Sequence, residues 1–380
     1  MTGRERITAA FEHRPTDAVP FFEQAFASDV ASALLGREAF TGTTMLHYQE
    51  AVAWSRGDEA HAEFEQRLFG DLLDLADLLG FDMLPIPWRR PERPTRRLNE
   101  YEFLYGDPEG DHELWRYDPN AKTYFRAARC AALPEPEDPN ELEPLVERAE
   151  RAAETATVPA IPEDDWRLRL RAARPELEVI GIGWLAIPLQ PIWLMACQLR
   201  PDLVARHLEA QLHTSCLTAE AWAALGFKVA WGGGDLADNH GPIYGPRIFR
   251  ELVLPRVQRY TARLHELGCW YVYRTDGNLW PIADEFFHQA GIDGYGEIDY
   301  DAGMSILDLQ PRYGERVTFN GDVPCGSLLH RGRPAEIREF VLRRREAFAA
   351  SGGWILGSSN SIVPGTPPDN VLAMLQAARE

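Results

Sequence analysis

Residues 269–278 read CWYVYRTDGN, a short apolar run that ends on Arg274, Asp276 and Asn278 in alternation. A strand turns residues i, i+2 and i+4 to one face. The run is therefore expected to be a buried strand that delivers a guanidinium, a carboxylate and an amide from its C-terminal end. Similar runs lie on either side of it: EVIGIGWLAI (178–187), KVAWGGGD (228–235), GYGEID (294–299), RVTFNGDV (316–323) and WILGSSNSI (354–362). Two earlier runs, AVPFFEQ (18–24) and FDMLPIPW (81–88), complete a set of eight.

The segments between the later runs carry helical periodicity. IFRELVLPRVQRYTARLHELG (248–268) places Phe249, Leu252, Leu254, Val257, Tyr260 and Leu264 at three- and four-residue spacing and stops on Gly268. PAEIREFVLRRREAFAASGG (334–353) behaves likewise. Buried-type strands alternating with helices indicate βαβ units and a parallel sheet, and eight strands are the number that closes a (β/α)8 TIM barrel. The expected fold class is thus α/β, one barrel domain over residues 1–380. An insertion at about 91–175, rich in Pro, Glu, Asp and Arg with the aromatic pieces YEFLYGD and DHELWRYD, reads as a hairpin with loops.

Composition narrows the function classes. A net charge of −19 disfavours nucleic acid and anionic membrane surfaces as partners, since both require a cationic footprint. No apolar run approaches a membrane-spanning length, and MTGRERITAAFEHRP lacks the apolar stretch of a secretory signal. A cytoplasmic location is expected. The five cysteines are far apart with no CxxC spacing, which argues against a disulfide framework or a cysteine-rich zinc knuckle. Among 39 basic residues only Lys122 and Lys228 are lysines, so arginine here is a compositional habit.

In barrels of this kind the functional face lies at the C-terminal strand ends. Those ends carry Glu23, Trp88, Trp184, Asp235, Asp276, Glu297 with Asp299, Asn320 with Asp322, and Asn360. Asp235, Asp299 and Asp322 are equally suited to capping the following helices. The loop GGGDLADNHG (232–241) lacks phosphate-cradle spacing and offers His240 as a candidate base, imidazole being the side chain that titrates near neutrality. Arg274 can capture a carboxylate or close the mouth in an ion pair with Asp276. The aromatic residues Trp88, Trp184, Trp231, Tyr244, Tyr273 and Trp280 suit either packing or a box for an organic cation. Asp235, Asp276, Glu297 and His240 would make an oxygen-rich site for a hard cation if they converged.

Several segments together resemble the uroporphyrinogen decarboxylase superfamily, which includes corrinoid-linked methyltransferases. They are RERITAAFEHRPTDAVP (4–20), GDLADNHGPIYGPRIFRELVLPRV (234–257), YRTDGNLWPIADEFFHQAGIDG (273–294), RYGERVTFNGDVP (312–324) and GGWILGSSNSIVPGTPPDNVLAML (352–375). The resemblance implies the same barrel and a homodimer. It also shows departures. The decarboxylase branch has an arginine-bearing PVWxMRQAGRY run, whereas no arginine lies between Arg14 and Arg37 here; its catalytic aspartate after the second strand corresponds to Arg89, and its final-motif histidine to Asn360. The methyltransferase branch carries an HxC pair and a final-motif cysteine that bind zinc; the matching positions are Arg274, Asp276 and Asn360.

Arginine has only donors and cannot ligate a metal. The expectation is therefore a zinc-free, methyltransferase-like enzyme of the corrinoid-linked demethylation type, with no metal ligands, acting on a small methylated compound. Asp276, His240 and Arg274 are the catalytic candidates. Glu23, Trp88, Trp184, Asp235, Tyr244, Asn278, Glu297, Asn320, Asp322 and Asn360 are the substrate-binding candidates. No tightly bound cofactor is expected; a corrinoid (cobalamin) would be carried by a partner protein. The alternatives are a decarboxylase or other lyase of a small carboxylic acid, with Arg274 as its anchor, and a ligand-binding barrel without catalysis.

Overall fold

The computed structural model describes residues 1–131 and 137–380. Its centre is a parallel sheet whose order follows the chain: Gly181–Trp184, Val229–Gly233, Trp270–Arg274, Gly294–Gly296, Thr318–Asn320 and Trp354–Ile355. The ring then closes. Met83–Leu84 pairs in parallel with Glu178–Val179, which runs on into the Gly181–Trp184 strand. Phe21 bridges Leu356 in parallel, the Leu356 N–H donates to the Pro20 carbonyl at 2.8 Å, and the Asp82 N–H donates to the Phe21 carbonyl at 2.9 Å. Eight strands thus form a closed (β/α)8 barrel.

Strand parity sorts the core into two compartments. Phe22, Met83, Ile180, Val229, Trp231, Val272 and Ile355 fill the barrel interior, while their neighbours Phe21, Tyr271, Tyr273, Tyr295 and Phe319 face the helices. The first helix, Gly3–Phe11, enters the same interior cluster with Ile7, Ala10 and Phe11. Phe11 stacks on Trp270 with ring centres 4.9 Å apart and planes at 12°. This end is plugged, so ligand access is confined to the opposite end.

Residues Gly245–Glu266 form the expected helix, but Phe249–Val253 is wound in π-helical form before Leu254–Glu266. Pro255 explains the irregularity: it has no N–H to offer the preceding turn, so the hydrogen-bond ladder slips. The inserted region is larger than a hairpin. Arg96–Arg97, Glu102–Gly106, His112–Asp118 and Thr123–Cys130 form a four-stranded antiparallel sheet, followed by helices Glu143–Glu154 and Trp166–Ala173. Its aromatic face, Phe103, Tyr105, Tyr117 and Tyr124, packs around Ala51 and Tyr48 of helix Thr43–Arg56. Residues 132–136 of the insertion lie outside the described residues. All five cysteines are free, and no helix among the described residues is long and apolar enough to cross a membrane.

Candidate active site

The strand Trp270–Arg274 ends one residue after Tyr273, and the chain leaves it through Thr275, Asp276 and Gly277. Gly277 turns with φ +83°, where a Cβ would lie 2.5 Å from the Ala237 carbonyl. Only glycine fits that contact. The turn holds Asp276 over the mouth and sends Asn278 elsewhere: Asn278 Oδ1 accepts from the Trp280 N–H at 3.0 Å, and its own N–H donates to the Asp238 carbonyl at 2.7 Å. The expected three-residue wall therefore becomes a pair. Alternation required extended backbone, which ends at Arg274.

Glu297 joins the pair as a third group. Gly296 faces the interior, where a Cβ would come within 2.8 Å of the Trp231 ring, so an extended continuation would turn Glu297 outward toward the helices. Instead Glu297 adopts φ +61°, a left-handed conformation that costs a non-glycine residue about 1–3 kcal/mol. Its carboxylate then meets Arg274, whose Nη1 donates to Oε1 at 2.9 Å and Oε2 at 3.0 Å. Asn360 Nδ2 donates to Asp276 Oδ2 at 2.9 Å and Glu297 Oε1 at 3.5 Å. Carboxylate oxygens of Asp235, Asp276 and Glu297 lie within 4.8 Å of one another.

Electrostatics follow from this crowding. Burial, then the negative charge of Glu297, push the Asp276 carboxyl up to about 7, against the hydrogen bond from Asn360. Burial also raises Glu297, opposed by Arg274 and by a donor from Gln24. The two carboxyls are coupled, and Asp276 is the one poised near neutrality to give a proton.

The other expected site residues divide by location. Trp184 is 45% exposed, and the Arg274 guanidinium carbon lies 5.7 Å from its ring centre. Trp88 is 63% exposed. Its carbonyl meets His47 Nε2 at 2.9 Å, and it lines, with Glu23, Gln24, Phe26 and Leu84, a narrow, mainly apolar crevice of only about 20 Å³ beside the mouth. Asp235 is exposed at the rim.

Glu23 is not at the rim. It is buried between the first and last strands, accepting from the Ser358 N–H at 2.9 Å and hydroxyl at 2.6 Å, and burial raises its carboxyl to about 8. Asn320 is also buried, its amide directed to the Phe22 and Ile355 carbonyls at 3.4 and 3.2 Å. Asp322 is fully buried against Arg344, with Nε donating to Oδ1 at 2.5 Å and Nη2 to Oδ2 at 3.0 Å, and it also accepts from the Ile306 N–H. Asp299 caps a turn by accepting from the Ala302 N–H at 3.1 Å.

Tyr244 is buried in the outer core, and burial raises its phenol well above the ordinary value. His240 is exposed on a turn organised by Asp238, whose Oδ1 accepts the His240 N–H at 2.7 Å. Among the described residues it does not join the three carboxylates.

Gln24 is the residue that strand-end acidity did not single out. Its Nε2 donates to Glu297 Oε1, and its Oε1 accepts from Trp231 Nε1 at 3.3 Å. Parity contained the signal, since Phe22 points inward and Gln24 is two residues on. Arg89 turns away from the mouth to the buried Glu50 and to Glu65.

The positions that the sequence resemblance matches to zinc ligands hold an ion-paired arginine, a hydrogen-bonded aspartate and an amide, a donor set that does not fit a thiolate–imidazole zinc centre. Both oxygens of Glu297 are also engaged by Arg274, which offsets one of the three carboxylate charges.

Comparison with known proteins agrees with this architecture. Residues 194–380 match the family model described as uroporphyrinogen decarboxylase (URO-D). Over 143 residues the chain is 23% identical to uroporphyrinogen decarboxylase of Dichelobacter nodosus (strain VCS1703A), a match that spans 38% of this chain and 39% of that one, well under half of either. Among solved structures, a methyltransferase from Methanosarcina mazei superposes over 100% of this chain and 98% of its own, with a TM-score of 0.64 and 19% identity, a likeness of fold.

Proposed function

We propose, from the match of residues 194–380 to the uroporphyrinogen decarboxylase model, that the chain is a zinc-free methyltransferase-like enzyme that demethylates a small compound at the barrel mouth. The observation that carries this reading is Asp276. It is a strand-end carboxyl, held by Asn360 and raised to about 7, so it is partly protonated at neutral pH and suited to general-acid work.

When a methyl group leaves a heteroatom, the bond pair stays with the heteroatom, which needs a proton, and the methyl carbon bonds to an incoming electron pair. Asp276 would supply the proton. The methyl acceptor is in this reading a reduced corrinoid brought by a partner protein, a co-substrate that contributes the attacking electron pair. Arg274 donates to both oxygens of Glu297, so its role in this reading becomes positioning Glu297 beside Asp276. Trp184 and Trp88 at the rim would limit water around the reacting atoms.

The lyase reading keeps Asp276 as an acid but loses its anchor, because Arg274 Nη1 is committed to Glu297. The test is incubation of the purified chain with small methylated ethers, thioethers and amines plus reduced cobalamin. The product is followed by the visible spectrum of methylcobalamin and by mass spectrometry. Formation of methylcobalamin with the demethylated product supports the proposal. Release of CO2 from a small acid without methyl transfer supports a lyase instead, and binding without product supports a non-catalytic barrel.

A further inference from the structure

We propose that Gln24, oriented by Trp231, determines which of the two facing carboxyls, Glu297 or Asp276, carries the proton. This rests on the acid role given to Asp276 above and assigns Gln24 as a positioning residue that acts through Glu297.

The argument begins with the indole, which has an N–H donor and no acceptor. Trp231 Nε1 can therefore meet only the oxygen of the Gln24 amide, 3.3 Å away. Gln24 Nε2 must then point the other way, and there it donates to Glu297 Oε1. Trp231 itself has little freedom. Its ring packs edge-on against Phe22 with centres 4.7 Å apart and fills the space left by the missing Cβ of Gly296. The amide is thus a fixed donor to Glu297 and cannot present its oxygen there.

Glu297 gathers donors from Gln24, from Arg274 to both oxygens, and from Asn360. Asp276 receives the Asn360 amide. Donors favour the ionised form of a carboxyl, so the arrangement keeps Glu297 as the anion. Two carboxylates this close resist ionising together, and the proton is left to Asp276. The other titratable or charged groups around the pair are Asp235, Asp299, Arg274, Tyr295 and Cys325. None of them replaces the directed donor from Gln24.

The test needs no substrate. The stability difference between the native chain and Asp276→Asn, measured by urea unfolding from pH 4.5 to 9, falls as pH rises through the range in which the folded but not the unfolded chain holds the Asp276 proton, and levels off at the folded-state titration. In the native background the levelling-off is expected near pH 7. In a Gln24→Met background Glu297 competes better for the proton, and the levelling-off is expected about one pH unit lower, a roughly tenfold loss of proton affinity at Asp276. An unchanged levelling-off point overturns the role of Gln24 and leaves the acid role of Asp276 standing. Absence of the decline in the native background overturns both. If Gln24→Met does not fold, Trp231→Phe keeps an aromatic ring, smaller than the indole, and deletes the N–H; it is expected to move the levelling-off point in the same direction, and an unmoved point there overturns the proposal equally.

Discussion

Replacing Glu23 by Gln should abolish a large part of the pH dependence of stability, because Glu23 closes the seam between the first and last strands. The carboxyl is fully buried, and its two hydrogen bonds from Ser358 only partly offset the desolvation that raises it to about 8 from an ordinary 4.5. The folded state therefore binds a proton more tightly than the unfolded chain. Below pH ~4.5 both states are protonated and Glu23 imposes no penalty. Between pH ~4.5 and ~8 stability falls as pH rises, and above ~8 the loss is complete. A shift of about 3.5 units at about 1.4 kcal/mol each sets a ceiling of ~5 kcal/mol. For a chain of 380 residues this corresponds to a few degrees, roughly 3–6 °C, in Tm. Glu23→Gln mimics the protonated group without titrating: its oxygen accepts one Ser358 donor and its amide can donate to the Ser358 hydroxyl. Urea unfolding of both proteins at pH 5, 7 and 9 should show the variant gaining about 2–5 kcal/mol on the native protein between the lowest and highest pH. Parallel curves would mean that the Ser358 hydrogen bonds outweigh burial and that the reasoning is wrong.

Arg344→Ala should cost about 3–5 kcal/mol in urea unfolding, because it strands the fully buried Asp322 carboxylate; a loss under about 1 kcal/mol would show that the pair is not desolvated as described. Gly296→Ala drives a methyl group to within 2.8 Å of the Trp231 ring, for an expected destabilisation of about 1–3 kcal/mol, and a neutral result would show that Trp231 has room to move. Elemental analysis of the purified chain should return far less than one zinc per molecule, and a stoichiometric zinc would contradict the donor set at Arg274, Asp276 and Asn360.

The barrel was legible because its strands are short apolar runs with punctuated ends, and that pattern survives in sequence without any knowledge of what pairs with what. Arg274, Asp276, Glu297 and Asn360 were legible as strand-end polar residues, and the structure brings them together. The limits have physical causes. Alternation stops where the backbone stops being extended, which is why Asn278 leaves the wall and why Glu297 needs a left-handed turn to enter the mouth. Acidity alone does not distinguish a rim carboxylate from one sealed by a partner from a distant helix, as Arg344 of Pro334–Phe348 seals Asp322. Gln24 is hard to single out in sequence because an amide beside a glutamate looks like the less chemical neighbour, although strand parity favours it over Glu23.

The most direct test of the central claim is the pH dependence of kcat for methyl transfer by metal-depleted protein, native and Asp276→Asn. Full activity without zinc is predicted, with a basic limb falling through about pH 7 as Asp276 loses its proton, and a loss of about 10²–10⁴-fold in kcat together with that limb in the variant. Activity that returns only with added zinc, or an Asp276→Asn enzyme with an unchanged rate and pH profile, would contradict the account.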